Sequence, residues 1–190
     1  MDRILIVSSG EKATAMLVNL LKEVFPVCKI SFATNSIDAK RTIGDSEYDS
    51  VIINCPLSDE FGSDLAEIVT SNSNSSCVML VKSEKADIIS DKVVDYGVMV
   101  IPKPLGRQSF YRTMKFVEAS RKRMLGLQTE NLKLQKKLEE IRMVNRAKFA
   151  LMQYLGFTEQ QAHRYLEKQA MDERCTKMEV AKKVIKMYEV

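Results

Sequence analysis

Several apolar runs of this chain end directly in polar side chains, as a buried strand does where it enters an active-site loop. Asn54 closes the run at residues 51–53, and Lys103 closes another run between two prolines. Ser8 and Ser9 follow the first run of the chain. The chemistry open to these residues is limited, because a carboxamide cannot form an acyl phosphate and a hydroxyl carries no charge to balance a divalent cation. The set therefore lacks the groups that phosphoryl transfer or Mg²⁺ binding would need.

The elements that position these residues form a repeating pattern over residues 1–105, in which short apolar runs alternate with helical stretches. Near-continuous hydrophobicity in the first, third and fourth runs indicates strands buried on both faces of a parallel sheet. We therefore predict an α/β fold, a doubly wound five-stranded parallel sheet with its ligand crevice at the strand carboxyl ends. The predicted strands are residues 4–8, 28–33, 50–54, 77–81 and 98–102, the predicted helices are 13–24, 36–43, 59–69 and 86–94, and 71–76 is a polar loop.

The two strand ends at Asn54 and Lys103, in that order, resemble the receiver domain of bacterial response regulators, a flavodoxin-like fold. The resemblance implies that Asn54 replaces the phosphate-accepting aspartate and that Ser8 and Ser9 replace the carboxylates that hold Mg²⁺. It also implies that Val81 stands where a threonine or serine would hold the phosphoryl group. Lys103 alone is retained, so residues 1–105 are predicted to be a pseudo-receiver domain without phosphotransfer. We expect Lys103 to hydrogen-bond Asn54 or the neighbouring backbone.

Other side chains that could hold a metal give a weaker signal. Asp59 and Glu60 follow Asn54 closely and leave a relocated metal site open as an alternative. The cysteines lack metal-ligand spacing, and three of them lie in or beside apolar runs, which predicts buried free thiols in a reducing cytosol. We predict no metal site and no cofactor. The four cysteines are Cys28, Cys55, Cys77 and Cys175.

From residue 106 the chain changes character, since no proline follows Pro104 and apolar residues recur by sevens. Residues 106–141 are therefore predicted to be a helical coiled-coil linker. Asn131 at an a position favours a parallel, in-register homodimer. The alternative is an amphipathic helix that packs on its own domain, because the earlier residues keep the seam poorly and Gly126 weakens the helix. The predicted dimer seam consists of Met124, Leu127, Asn131, Leu134, Leu138 and Ile141.

Residues 142–190 are predicted to form a three-helix bundle. Gly156 ends the long helix, and Thr158 opens the next one with Gln161 as its capping-box partner. Thr176 and Glu179 form a second capping box that opens the last helix. A bundle of about 45 residues is near the lower limit for independent stability, which is a further reason to expect dimerisation.

The bundle also carries an ordered series of short motifs, at residues 146–152, 156–162, 169–172 and 180–181. Their joint spacing resembles the ANTAR domain, an RNA-binding module of bacterial transcription antiterminators, over about residues 130–187. Two residues depart from the family pattern: Phe149 stands for the usual glycine, and Ala150 for the usual larger aliphatic residue. The resemblance implies that the target is a pair of RNA hairpins with short loops.

The residues of these motifs divide into two groups. The apolar ones, such as Ala147, Leu166 and Ala181, fall at core spacing and are predicted to pack rather than to recognise RNA. Lysine and arginine hold phosphates, while arginine or tyrosine stacks on unpaired bases. The predicted RNA surface consists of Arg142, Arg146, Lys148, Gln153, Tyr154, Lys168, Arg174, Lys177 and Lys182.

Composition and charge agree with this division. Residues 1–105 contain 10 Lys/Arg against 15 Asp/Glu, whereas residues 106–190 contain 19 against 10. A basic C-terminal part favours a polyanionic partner. No apolar stretch approaches the roughly 20 residues that span a bilayer, and the N-terminus has no signal-peptide layout. We therefore predict a cytoplasmic protein that makes no membrane contact.

Together these features predict an RNA-binding transcription antiterminator that stabilises a two-hairpin leader transcript without catalysis. Because aspartyl phosphate is unavailable, control is expected through a regulatory protein or ligand on the receiver domain. The alternative is a protein-interaction adaptor whose basic bundle binds an acidic protein. A DNA-binding regulator is disfavoured for want of a helix-turn-helix pattern. An enzyme has least support, because the sequence lacks a phosphate-cradling glycine loop and a nucleophile–base pair around its single histidine, His163.

Overall fold

The computed structural model describes residues 1–188 and divides the chain into two compact units, Met1–Arg123 and Met124–Val190. The first unit confirms the predicted α/β fold. Its five strands are all parallel and lie in the order β2-β1-β3-β4-β5, which is the doubly wound arrangement. The strands are β1 (Arg3–Val7), β2 (Lys29–Ala33), β3 (Ser50–Asn54), β4 (Ser76–Lys82) and β5 (Met99–Lys103).

Helices cover both faces of this sheet. Helix α1 and the first turns of α5 pack on one face, around Leu17, Leu21 and Phe110. Helices α2 to α4 pack on the other face, around Leu65 and Val69. Burial from both sides explains why β1, β3 and β4 are nearly continuous apolar runs. The helices are α1 (Glu11–Val24), α2 (Ser36–Asp45), α3 (Ser63–Asn72), α4 (Ser83–Val93), followed by a 3₁₀ turn (Val94–Tyr96), and α5 (Arg107–Leu155).

Two predictions around α3 are wrong in detail. The helix begins at Ser63 rather than at residue 59, because residues 57–60 form a turn in which the Leu57 N–H donates to the Glu60 carbonyl over 2.9 Å. Gly62 then adopts a φ of 110°, a conformation that favours glycine. The polar loop predicted at 71–76 is shorter, since α3 continues through Asn72 and β4 begins at Ser76.

The first unit extends past the predicted boundary at residue 105. Phe110 and Met114 are completely buried and Val117 nearly so, all in the core of this unit. The first turns of α5 therefore pack on their own domain, which was the alternative to a coiled coil for this stretch. Of the three cysteines predicted to be buried, Cys55 and Cys77 are buried, while Cys28 is half-buried.

An ionic contact fixes the same stretch of α5. The Arg121 guanidinium donates to the Asp49 carbonyl over 2.9 Å and to its carboxylate over 2.7 Å. Burial raises the pKa of the Asp49 carboxyl, but hydrogen bonds from the backbone of Asp2 and Arg3 and the charge of Arg121 outweigh it, so the pKa lies below its ordinary value. The carboxylate therefore joins α5 to the start of β1.

The second unit contains the predicted three-helix bundle. It consists of the C-terminal part of α5, α6 (Glu159–Asp172) and α7 (Lys177–Tyr188). Both predicted capping boxes are present, at Thr158 and at Thr176. No helix within residues 1–188 combines the length and the apolar character that crossing a bilayer would require. The bundle core consists of Ala147, Ala150, Leu151, Ala162, Leu166, Ala170, Val180, Ala181 and Val184.

Two glycines of the second unit provide a matched test of this backbone. Gly156 has a φ of 67°, and left-handed backbone costs an L-residue roughly 1–2 kcal/mol. Gly126 lies inside α5, with open space around an added Cβ, and glycine there costs about 1 kcal/mol relative to alanine. We expect Gly156→Ala to destabilise the second unit and Gly126→Ala to stabilise α5. Hydrogen exchange of peptides from each region measures both changes, and equal effects of the two substitutions would contradict the assignment.

Candidate functional site

The residues of the degenerate receiver site come together at the carboxyl edge of the sheet. The register pairs Val7 with Ile53 and Lys82 with Lys103, which brings the ends of β1, β3 and β5 to the same edge. The Asn54 amide donates to the Ser8 hydroxyl over 3.0 Å. The Lys103 ammonium donates to the Asn54 side-chain oxygen over 3.1 Å and to the Cys55 carbonyl over 2.5 Å. The expected bonds of Lys103 to Asn54 and the neighbouring backbone are therefore confirmed.

The electrostatics of this site are those of an uncharged network around one cation. Burial lowers the pKa of the Lys103 ammonium below its ordinary value, and the nearby Lys82 acts in the same direction. The acceptors of Lys103 are an amide oxygen and a backbone carbonyl, so no carboxylate balances its charge. The geometry holds the lysine in place and offers no carboxylate that could form an acyl phosphate.

The remaining residues of the predicted site point elsewhere. Val81 is buried in the core, and Ser9 is exposed. The Ser83 hydroxyl, which follows β4, donates to the Lys103 carbonyl over 2.7 Å, so it supports β5. The structure thus joins Ser8, Asn54 and Lys103 and leaves Val81 and Ser9 outside that network.

The carboxylates that left a relocated metal site open have structural roles. Asp59 accepts hydrogen bonds from the backbone N–H groups of Ser36 and Ile37, at the start of α2. Glu60 accepts from the Leu65 N–H and pairs with Lys40. Within residues 1–188, no group of three or more His, Cys, Asp or Glu side chains is placed to hold a metal ion.

A groove of about 460 Å³ lies beside the Asn54 network, between α1 and the edge strand β2. Ser8 and Ser9 line it together with Glu11, Val18 and the exposed Phe32. Its volume falls in the range of small-molecule sites, about 300–1,000 Å³. The sequence analysis did not identify this groove, because its wall combines an edge strand with a helix face that are separated along the chain.

The predicted RNA residues of the second unit lie on several faces of the bundle. Arg142, Arg146 and Gln153 are exposed and follow one another on α5 at intervals of four and seven residues, which places them on one side of the helix. Lys168, Arg174 and Lys182 are also exposed, on or beside α6 and α7. The α5 residues therefore form one continuous surface, and the others lie apart from it in sequence and on other helices.

Two of the predicted lysines are engaged within the bundle. Lys148, whose side chain is only 16% exposed, pairs with Glu159 over 3.0 Å. Lys177 pairs with Glu167 over 2.6 Å, and Glu167 also contacts His163. Sequence reasoning missed these pairs because each joins two helices and its members lie 10 or 11 residues apart.

The aromatic residues of the bundle differ in whether their rings are already stacked within the protein. Tyr154, a predicted stacking residue, already stacks on Tyr188 with ring centroids 5.6 Å apart. Phe149 is one of the two departures from the ANTAR pattern. Its side chain is 70% exposed on the same side of α5 as Arg146. Its neighbour Ala150 is buried, so the two departures separate into an outward aromatic ring and a small core residue.

Each of the two units of this chain resembles known proteins. Residues 132–185 match the family model of the ANTAR domain. Residues 132–185 are therefore similar to the ANTAR domain family. The transcriptional regulatory protein PdtaR of Mycobacterium tuberculosis is 27% identical to it over 138 residues, which are 72% of this chain and 67% of PdtaR. These two findings support a place among the regulators of transcription antitermination, and ANTAR regulators bind RNA, which supports RNA as the general class of partner.

The first unit resembles solved receiver domains. The signal receiver domain of an HD-domain protein from Pseudomonas fluorescens has a TM-score of 0.59 at 19% identity, over 66% of this chain and 92% of that one. A response regulator receiver protein from Clostridium thermocellum has a TM-score of 0.57 at 16% identity, over 66% of this chain and 99% of that one. At such identities the likeness shows the receiver fold alone.

The Asn54 network predicts silence towards small phosphodonors. After treatment with acetyl phosphate and Mg²⁺, we expect no phosphorylated species on a Phos-tag gel, for this chain or for Asn54→Asp. The variant regains an acceptor beside Lys103, yet Ser8 and Ser9 provide no carboxylate for Mg²⁺. An intact receiver domain treated in parallel is the positive control. A shifted band for the unmodified chain would contradict the prediction.

Proposed function

We propose that this protein is a cytoplasmic, non-catalytic antiterminator that binds a two-hairpin leader RNA as a homodimer and stabilises it against a competing terminator. The observation that carries the proposal is the ANTAR domain at residues 132–185, whose α5 exposes Arg142, Arg146 and Gln153 on one side. Guanidinium groups bind phosphates and stack on unpaired bases, and sequence-specific RNA recognition favours exposed loops over closed helices. A dimer would engage two hairpins and gain affinity through effective concentration.

The first test is binding of the purified chain to a two-hairpin RNA, compared with loop-mutated hairpins and a duplex of equal charge. We expect selective binding that weakens steeply with salt, because phosphate contacts release counterions. Arg142→Ala should weaken binding and reduce the salt slope by about 1, the contribution of one phosphate contact. Lys12→Ala removes the same charge from an exposed position in the first unit and is the matched control.

Equal, weak and salt-sensitive binding to every RNA would contradict this function. It would favour the alternative, an adaptor whose basic bundle binds an acidic protein. No specific contact within residues 1–188 favours that alternative over RNA.

The proposed homodimer rests on an exposed apolar stripe. Met124, Leu127, Leu134, Leu138 and Ile141 recur at heptad spacing on α5 with 48–58% of each side chain exposed. Asn131 is exposed on the same stripe at an a position. A second copy of the stripe would bury these side chains and match asparagine to asparagine, which favours a parallel, in-register pair.

Leu134→Asp tests the seam, with Leu132→Asp as its control. The two leucines are equally exposed, 57% and 59%, but Leu132 lies outside the heptad seam. We expect Leu134→Asp to raise the dimer dissociation constant at least about tenfold, which corresponds to 1.4 kcal/mol. Leu132→Asp should leave it nearly unchanged. Sedimentation velocity over a range of concentrations measures both, and equal effects would show that the seam is not the interface.

Control of the protein is proposed to act through a partner protein or ligand on the first unit. The Asn54–Lys103 network contains no aspartate, which supports a signal other than aspartyl phosphate at this site. The groove between α1 and β2 is a concave surface at the carboxyl edge of the sheet, where doubly wound folds bind ligands.

A further inference from the structure

Phe149 lies on the outer side of α5 within the bundle. The residues around it in sequence, Ala147, Ala150 and Leu151, are buried in the bundle core, whereas its own side chain is 70% exposed. The ring therefore points away from the core and is not one of the residues that pack in it. A single exposed apolar side chain is common on protein surfaces, so the residues around it decide what it can contact.

The other aromatic residues of the second unit are engaged with one another. Tyr154 stacks on Tyr188 with ring planes 17° apart, and Phe157 packs edge-on against Tyr165 at 5.9 Å. Phe149 has no ring partner within the described part of the chain. Among the aromatic rings of the second unit within residues 1–188, it is therefore the most exposed and the one without a ring partner.

Polar and basic side chains surround this ring on the helix surface. Arg142 and Arg146 precede Phe149 by seven and three residues, and Gln153 follows it by four. At 3.6 residues per turn, these positions lie within about 60° of Phe149 around the helix axis. All of them are exposed. The ring thus lies in a stripe with guanidinium groups on one side and a carboxamide on the other.

This combination fits unpaired RNA better than a folded protein surface. Aromatic and arginine side chains also occur at protein interfaces, but the ANTAR match over residues 132–185 and the excess of basic residues in this part of the chain favour RNA. Single-stranded nucleic acid binds where aromatic side chains accept stacked bases and cations hold the backbone. The negative charge of the nucleic-acid backbone complements the positive charge of Arg142 and Arg146.

We propose that Phe149 is a stacking platform for one unpaired base in the loop of the bound RNA, with Arg142 and Arg146 on the adjacent phosphates. This inference rests on the proposed RNA-binding function and names the residue that reads the loop. Since a ring stacks on any base, Phe149 selects for an unpaired, turned-out nucleotide rather than for its identity.

The experiment compares hairpin binding by the full chain and by Phe149→Ala, Phe149→Leu and Phe149→Trp. Base stacking is worth about 1–3 kcal/mol, so Phe149→Ala should weaken binding by about 5-fold to 150-fold. Phe149→Leu keeps an apolar side chain without a π face and should lose nearly as much, while Phe149→Trp should retain affinity. Met152→Ala, which removes the neighbouring exposed side chain, is the control and should change little.

Abasic substitutions identify the partner base. When each loop base is removed in turn, we expect one position at which wild-type affinity falls and Phe149→Ala causes no further loss. Undiminished affinity of Phe149→Ala or Phe149→Leu, or additive losses at every position, would overturn the stacking role while RNA binding itself stands. A Phe149→Ala variant that loses its dimer by sedimentation would also overturn it, since the ring would then be a protein contact. Absence of loop-dependent binding by the wild type would instead refute the proposed function.

Discussion

The ammonium of Lys103 imposes the main constraint on the first unit. A partly buried cation at the edge of a parallel sheet needs hydrogen-bond acceptors, and here all of them are uncharged. Asn54 satisfies the lysine with its oxygen and uses its amide to hold Ser8, so the ends of β1, β3 and β5 are joined without a metal or a phosphoryl group. A carboxylate at this position would change charge on phosphorylation, but a carboxamide cannot. The network therefore lacks the carboxylate whose charge phosphorylation would change.

The second unit depends on close approach of its helices rather than on a large core. Five of its nine buried core residues are alanines, which bring the helix backbones together but bury little apolar surface each. A core of this size leaves a small domain marginally stable. The same fact explains why the spacing of the family motifs says so little about recognition: Ala147, Ala162 and Ala181 are spaced for packing. The residues that can meet RNA are those that the packing leaves on the outside.

Whether a feature could be predicted from the sequence depends on how far apart along the chain its interacting residues lie. Capping boxes at Thr158 and Thr176 and the buried strands are local patterns, and they were predicted correctly. Heptad spacing in α5 was ambiguous, because Phe110 in the core of the first unit and Leu134 in the exposed seam follow the same periodicity. The groove beside Ser8 and the pairs within the bundle join segments that are distant along the chain. Periodicity contains no information about such contacts.

The ion pairs of the bundle change the meaning of its positive charge. Lys148 and Lys177 hold α5 to α6 and α6 to α7 through Glu159 and Glu167, so their charges are already balanced within the fold. Because the carboxylates Glu159 and Glu167 stay open to solvent, such pairs are worth only about 0–1 kcal/mol, which makes them exchangeable for a phosphate at small cost but also poor sources of affinity. Counting basic residues therefore overstates the electrostatic surface. For the proposed RNA binding, the cations that would contribute affinity are those exposed without such a pair within residues 1–188, as Arg142 is, and the side chains between them would contribute specificity.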